Sequence, residues 1–133
     1  MTIEATVYLV EDDEAVRDSL QMVLESVGHK VISYSRADSF LEDYTTDMAG
    51  CMVLDIRMPG MNGMELQRQL NTRNSILPII FVTGHGDVPM AVDAMQRGAV
   101  DFVQKPYREE ELLGKIQQAI AADAENRADL EEK

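Results

Sequence analysis

Five short apolar runs, each closed by polar or turn residues and each followed by a stretch of helical periodicity, limit what this chain can fold into. The runs are residues 5–10, 31–34, 51–54, 78–82 and 100–103. After them, apolar residues recur at helical spacing. These are Val16, Leu20, Val23, Leu24 and Val27; Ala37, Phe40, Leu41 and Tyr44; Met64, Leu66 and Leu70 within 63–70; Val88, Ala91, Val92 and Met95; and Leu112, Leu113, Ile116, Ala119 and Ile120. Gly28 and Gly98 stop two of these helices. Strict alternation of strand and helix implies right-handed crossovers and a parallel sheet covered on both faces. The expected fold is therefore α/β: a doubly wound, five-stranded parallel sheet of order 2-1-3-4-5. The second run is more polar than the first and reads as an edge strand.

That order fixes where chemistry belongs. Open α/β sheets carry their sites beyond the carboxyl ends of the strands, at the point where strand order reverses. Here that point lies between the first and third strands, which end at Glu11-Asp12 and at Asp55. Pro59-Gly60 and Asn62-Gly63 follow Asp55 as turn signals. Asp55 lies too far upstream of the helix starting near Gly63 to be its cap. Acids converging at one edge repel each other unless a cation sits among them, and an oxygen-only set suits Mg²⁺, with Mn²⁺ a second choice. Asp12 reads as a direct ligand and Glu11 as one acting through water, while Asp13 and Glu14 read as solvated acids at a helix start. Thr83 and Lys105 close the fourth and fifth strands and should enter the same crevice. A metal, an ammonium, a hydroxyl and an isolated Asp suit a phosphoryl group, with Asp55 as the nucleophile.

Composition excludes other classes. A length of 133 residues is one domain. The net charge of −12 disfavours nucleic-acid binding by this piece. The single cysteine, Cys51, lies inside an apolar strand and reads as a packing residue. Neither a signal peptide nor an apolar stretch of about 20 residues is present, so a cytoplasmic location without a membrane anchor is expected. His29 and His85 have no metal-ligand spacing, and Gly84 and Gly86 lack the Gly-Lys-Ser/Thr ending of nucleotide loops.

Taken together, Glu11-Asp12, Asp55 with Met58-Pro59-Gly60 and Gly63, Thr83-Gly84, and Lys105-Pro106 resemble the receiver domain of bacterial two-component response regulators across residues 5–121. Residues 83–92, with Ala94-Met95, Gly98-Ala99 and Asp101-Phe102, look most like the FixJ-type transcriptional regulators with a LuxR-type output. The resemblance implies a flavodoxin- and CheY-like (βα)5 fold and a signalling role rather than an enzyme. It implies that Asp55 accepts a phosphoryl group from a sensor histidine kinase. Mg²⁺ would be held by Asp12, Asp55 and the Arg57 backbone carbonyl, with Glu11 through water. Lys105 would bind the phosphoryl group, Thr83 and Phe102 would form a switch pair, and the peptide before Pro106 would be cis. Phosphorylation would drive homodimerisation through a face carrying Val88, Pro89, Met90, Val92 and Met95. Residues 1–121 would form the receiver, and 122–133 an acidic helical extension or the start of a linker to a C-terminal helix-turn-helix domain that binds DNA. The competing readings are a stand-alone receiver acting by protein contact and a Mg²⁺-dependent phosphatase or phosphotransferase. The latter usually needs a second acid two residues after the nucleophile, where this chain has Arg57.

Overall fold

The computed structural model describes residues 4–84 and 86–131, so the reading of His85 lies outside the described residues. Strands and helices alternate throughout: β1 (Thr6–Val10), α1 (Glu14–Ser26), β2 (Lys30–Tyr34), α2 (Ala37–Asp43), β3 (Gly50–Asp55), α3 (Gly63–Thr72), β4 (Ile79–Thr83), α4 (Val88–Gln96), β5 (Asp101–Gln104) and α5 (Glu109–Glu131). All strand pairs are parallel, in the order β2-β1-β3-β4-β5. This is the expected doubly wound sheet, and β2 is indeed an edge.

Side chains alternate across the sheet and divide the interior in two. Met52 and Leu54 of β3 join Phe40, Leu66, Leu70 and Phe81 beneath α2, α3 and α4. Cys51 and Val53 face the other way, with Leu20, Leu24, Ile80, Leu112 and Ile116 beneath α1 and α5. The chain has no Trp, and Phe40 and Phe81 are the bulkiest fully buried side chains, both on this side; Phe40 sits among further aromatics. Its ring is met edge-on by Tyr8 at 5.8 Å and Tyr34 at 5.3 Å.

Local signals fix the helix ends near the site. Asp13 caps α1, its Oδ1 accepting from the Val16 N–H at 3.1 Å. Asn62 and Glu65 form a reciprocal capping box at α3, with bonds of 2.9 and 3.4 Å. Gly63 lets α3 begin against the end of β3: a Cβ there would collide with the Asp55 carbonyl.

Two expectations need correcting. Val27 does not belong to the buried stripe of α1; the helix ends at Ser26, and Val27 is 54% exposed at the C-cap. On α4 the buried residues are Ala91 and Ala94, because the helix lies close to the sheet and small side chains fill that approach. Val92 and Met95, read as part of the same stripe, are instead exposed. Beyond Ala121, α5 runs on to Glu131 and stays docked on the domain. Asp123 is buried, and its Oδ2 accepts from the Gly50 N–H and from Arg127 Nε, each at 2.8 Å. Arg127 also donates to the Thr46 and Met48 carbonyls. A carboxylate and a guanidinium replace the missing apolar stripe and clamp the helix to the start of β3.

Candidate functional site

At the carboxyl edge of the sheet, Glu11, Asp12 and Asp55 each place a carboxylate oxygen within 4.8 Å of the other two. Parallel pairing brings this about, since Val10 lies opposite Leu54 and both strands end together. Glu11 and Asp55 are buried whereas Asp12 is exposed, so the cluster opens to solvent on one side. An all-oxygen set of this kind fits a hard divalent cation, and soft or nitrogen-seeking metals would find nothing here to prefer.

Lys105 reaches into the cluster from the end of β5. Its Nζ lies 3.4 Å from Asp55 Oδ2 and 3.6 Å from Glu11 Oε1. Partial burial works against the Lys105 ammonium, but the charges of Asp55 and Glu11 outweigh it and hold the pKa above its ordinary value. Burial pushes the Glu11 carboxyl up to about 7; a bond from the Asp13 N–H opposes this, the Asp55 charge adds to it, and Lys105 offsets it in part. Arg17 Nη1 braces the loop by donating to the Glu11 carbonyl at 2.9 Å. Asp55 itself is lightly held: the Arg57 N–H approaches Oδ1 at 3.3 Å and Lys105 approaches Oδ2 at 3.4 Å.

Thr83 ends β4, beside β3, and is fully buried. Its hydroxyl donates to the Gly84 carbonyl at 2.9 Å rather than to Asp55. Phe102, opposite Phe81 on β5, is half-buried against the aromatic side of the core. The Lys105–Pro106 peptide is cis. Val88 and Met90 are half-buried, and Pro89, Val92 and Met95 are exposed along α4. Cys51 is fully buried, and burial pushes its thiol up to about 12, as suits a packing residue.

One feature of the site escaped the sequence reading. The Arg57 side chain leaves the β3–α3 loop and binds Asp87, with Nε at 2.8 and 2.9 Å from the two carboxylate oxygens and Nη2 at 2.7 Å from Oδ1. The bonds from Arg57 hold the Asp87 carboxyl below its ordinary range. A recognisable signal was present, since Asp87 precedes Val88-Pro89 as a helix cap would. Its partner, 30 residues away, carried none.

The model of the response regulator receiver domain matches residues 7–117 of this chain. The chain belongs to the response regulator receiver family. This receiver domain is 46% identical over 124 residues to the response regulator protein TodT of Pseudomonas putida, covering 93% of this chain and 55% of TodT. It is 44% identical over 120 residues to the transcriptional regulatory protein FixJ of Bradyrhizobium diazoefficiens, covering 90% of this chain and 58% of FixJ. The solved structure of the response regulator StyR superposes with a TM-score of 0.92 at 45% identity, covering 98% of this chain and 66% of StyR. That of FixJ-N gives 0.82 at 42%, covering 90% and 96%. The receiver domain spans little more than half the length of the curated relatives it matches. Among the described residues, no helix is long and apolar enough to cross a membrane.

Proposed function

We propose that Asp55 is the phosphoacceptor of this receiver domain and that a sensor histidine kinase supplies the phosphoryl group. The observation that carries this reading is the setting of Asp55: a strand-end carboxylate, 12% exposed, weakly bonded, beside two more acids and one ammonium. An Asp55 oxygen attacks phosphorus, a new O–P bond forms, and the bond from phosphorus to the donor breaks with its electron pair leaving on the donor. A carboxylate oxygen, unlike a hydroxyl, attacks with no proton to lose, so the step calls for no separate general base. Lys105 supplies a positive charge to the incoming oxygens. Mg²⁺, or Mn²⁺ in its place, would be held by Asp12, Asp55 and the Arg57 carbonyl, with Glu11 through water. When bound, it would neutralise the oxygens of the group being transferred.

The readout runs through the neighbouring strands. Thr83 gives up the Gly84 carbonyl for a phosphoryl oxygen, and Phe102 turns into the space it leaves. The face made by α4, β5 and α5 then changes shape. Val88, Pro89, Met90, Val92 and Met95 lie on this stretch, and a phosphorylation-dependent homodimer forms through it, controlling transcription by way of a C-terminal helix-turn-helix domain that makes the DNA contact. The curated relatives named transcriptional regulators support that output. Residues 1–121 would act as the switch, and 122–133 would carry its state onward.

Intact mass after treatment with acetyl phosphate and Mg²⁺ tests the chemistry. The wild type gains one hydroxylamine-labile phosphoryl group and Asp55→Asn gains none. Equal labelling of the variant would overturn the assignment.

A further inference from the structure

Asp87 occupies the amino cap of α4, where a carboxylate ordinarily accepts from a backbone N–H of the first turn. It makes no such bond. Its carboxylate is taken by the Arg57 guanidinium from the loop after the adjacent strand. The pair is asymmetric: the Asp87 side chain is 7% exposed and that of Arg57 is 74% exposed. The carboxylate is therefore the fixed half and the guanidinium the half free to turn. The backbone of Arg57 already touches the acceptor, its N–H facing Asp55 Oδ1 at 3.3 Å. At the far end of α4 the helix is pinned to α3, with Gln67 Nε2 donating to the Ala94 carbonyl at 2.9 Å and Asn71 Nδ2 to the Arg97 carbonyl at 3.0 Å. The amino end is left as the end that can swing, and the Arg57–Asp87 pair holds it.

We propose that Arg57 and Asp87 form a latch that phosphorylation opens: the guanidinium exchanges the Asp87 carboxylate for oxygens of the group on Asp55, and the freed Asp87 caps α4. This rests on the reading of Asp55 as the phosphoacceptor. A phosphoryl group offers up to two negative charges and three acceptors, against one charge on Asp87, and a guanidinium fork suits either anion. Asp87 in turn trades one donor for another. Pro89 at the second helical position has no N–H, so the donor that Asp87 meets is the Met90 amide. Both partners stay satisfied in each arrangement, which makes a two-state element that a small differential affinity can tip. Arg57 and Asp87 act as positioning residues between the acceptor and the mobile end of α4.

The test uses the whole 133-residue chain with beryllofluoride and Mg²⁺ as the phosphoryl probe. Asp87→Asn keeps a capping side chain and removes the charge that holds Arg57. It should bind the probe about tenfold more tightly, the worth of one charge-assisted bond. Arg57→Ala should bind it more weakly, and the double variant should match Arg57→Ala, because Asp87 acts only through Arg57. In the wild type, which carries no folding risk, the probe should slow hydrogen exchange at the Met90 amide about fivefold, as a new cap would. Should Asp87→Asn tighten binding equally when Arg57 is absent, or should Met90 exchange stay the same with probe bound, the latch is wrong and the acceptor reading survives. If the wild type fails to bind the probe, both fall together.

Discussion

Two buried aspartates, one at each edge of the same sheet, are used in opposite ways. Asp123, at the amino edge, receives two bonds of 2.8 Å, one from the Gly50 amide and one from Arg127, on a single carboxylate oxygen. Asp55, at the carboxyl edge, sits among other acids, and its contacts are 3.3 and 3.4 Å long. Burial alone does not distinguish them. What differs is the strength of the partners, and with it the freedom to react. A short, charge-assisted set locks a carboxylate into the architecture. A crowded, loosely bonded one leaves its oxygens available and gains when positive charge arrives.

The contrast can be broken by exchange of function. Asp55→Asn should abolish hydroxylamine-labile labelling, whereas Asp123→Asn should leave labelling intact; loss of labelling in both would mean that the two edges are not separable. Stability should show the reverse ranking. Asp123→Ala strands Arg127 and the Gly50 amide and should cost about 3 kcal/mol in urea unfolding, the usual penalty for breaking a buried pair. Asp55→Ala, which relieves repulsion among acids, should stay within about 1 kcal/mol of wild type in metal-free buffer. Adding Mg²⁺ at tenfold excess over its dissociation constant should stabilise the wild type by about 1.4 kcal/mol. Asp12→Ala should lose most of that gain, and Asp123→Asn should keep it.

A milder effect lies along β3 itself. Cys51 is four residues before Asp55 on the same strand, yet its thiol pKa is raised to about 12. The unfolded thiol ionises near 8.5, so between these values the folded state retains a proton that the unfolded chain gives up, and stability declines as pH climbs through that window. At pH 8 a thiol reagent should leave the native protein unmodified and label it promptly in urea; rapid native labelling would show that this end of the strand is open too.

The sheet was legible because each strand carries its own apolar run and each helix its own period. The strand ends follow from topology, which is why the sequence alone brings Glu11, Asp12, Asp55 and Lys105 together. Contacts between distant polar residues were not legible. Asp123 meets Gly50 across 73 positions, and Arg57 meets Asp87 across 30. Such pairs have no periodicity, and an acidic, alanine-rich tail looks solvated until its one buried Asp is seen. The stripe on α4 misled for a related reason. Periodicity finds a face of a helix, but how closely that helix sits on the sheet decides which of two adjacent faces is inside, and Ala91 and Ala94 admit a closer approach than Val92 and Met95.

Gly63 carries a consequence for how this protein can vary. The first turn of α3 abuts the Asp55 carbonyl so closely that any side chain would have to displace it. The segment between Asp55 and α3 is therefore anchored at both ends, and its length is coupled to where the Asp55 oxygens point. In a library of replacements spanning 56–63 and selected for labelling, survivors should vary most at the exposed Pro59, favour glycine at 60, where φ is +74°, and return a single residue type at 63.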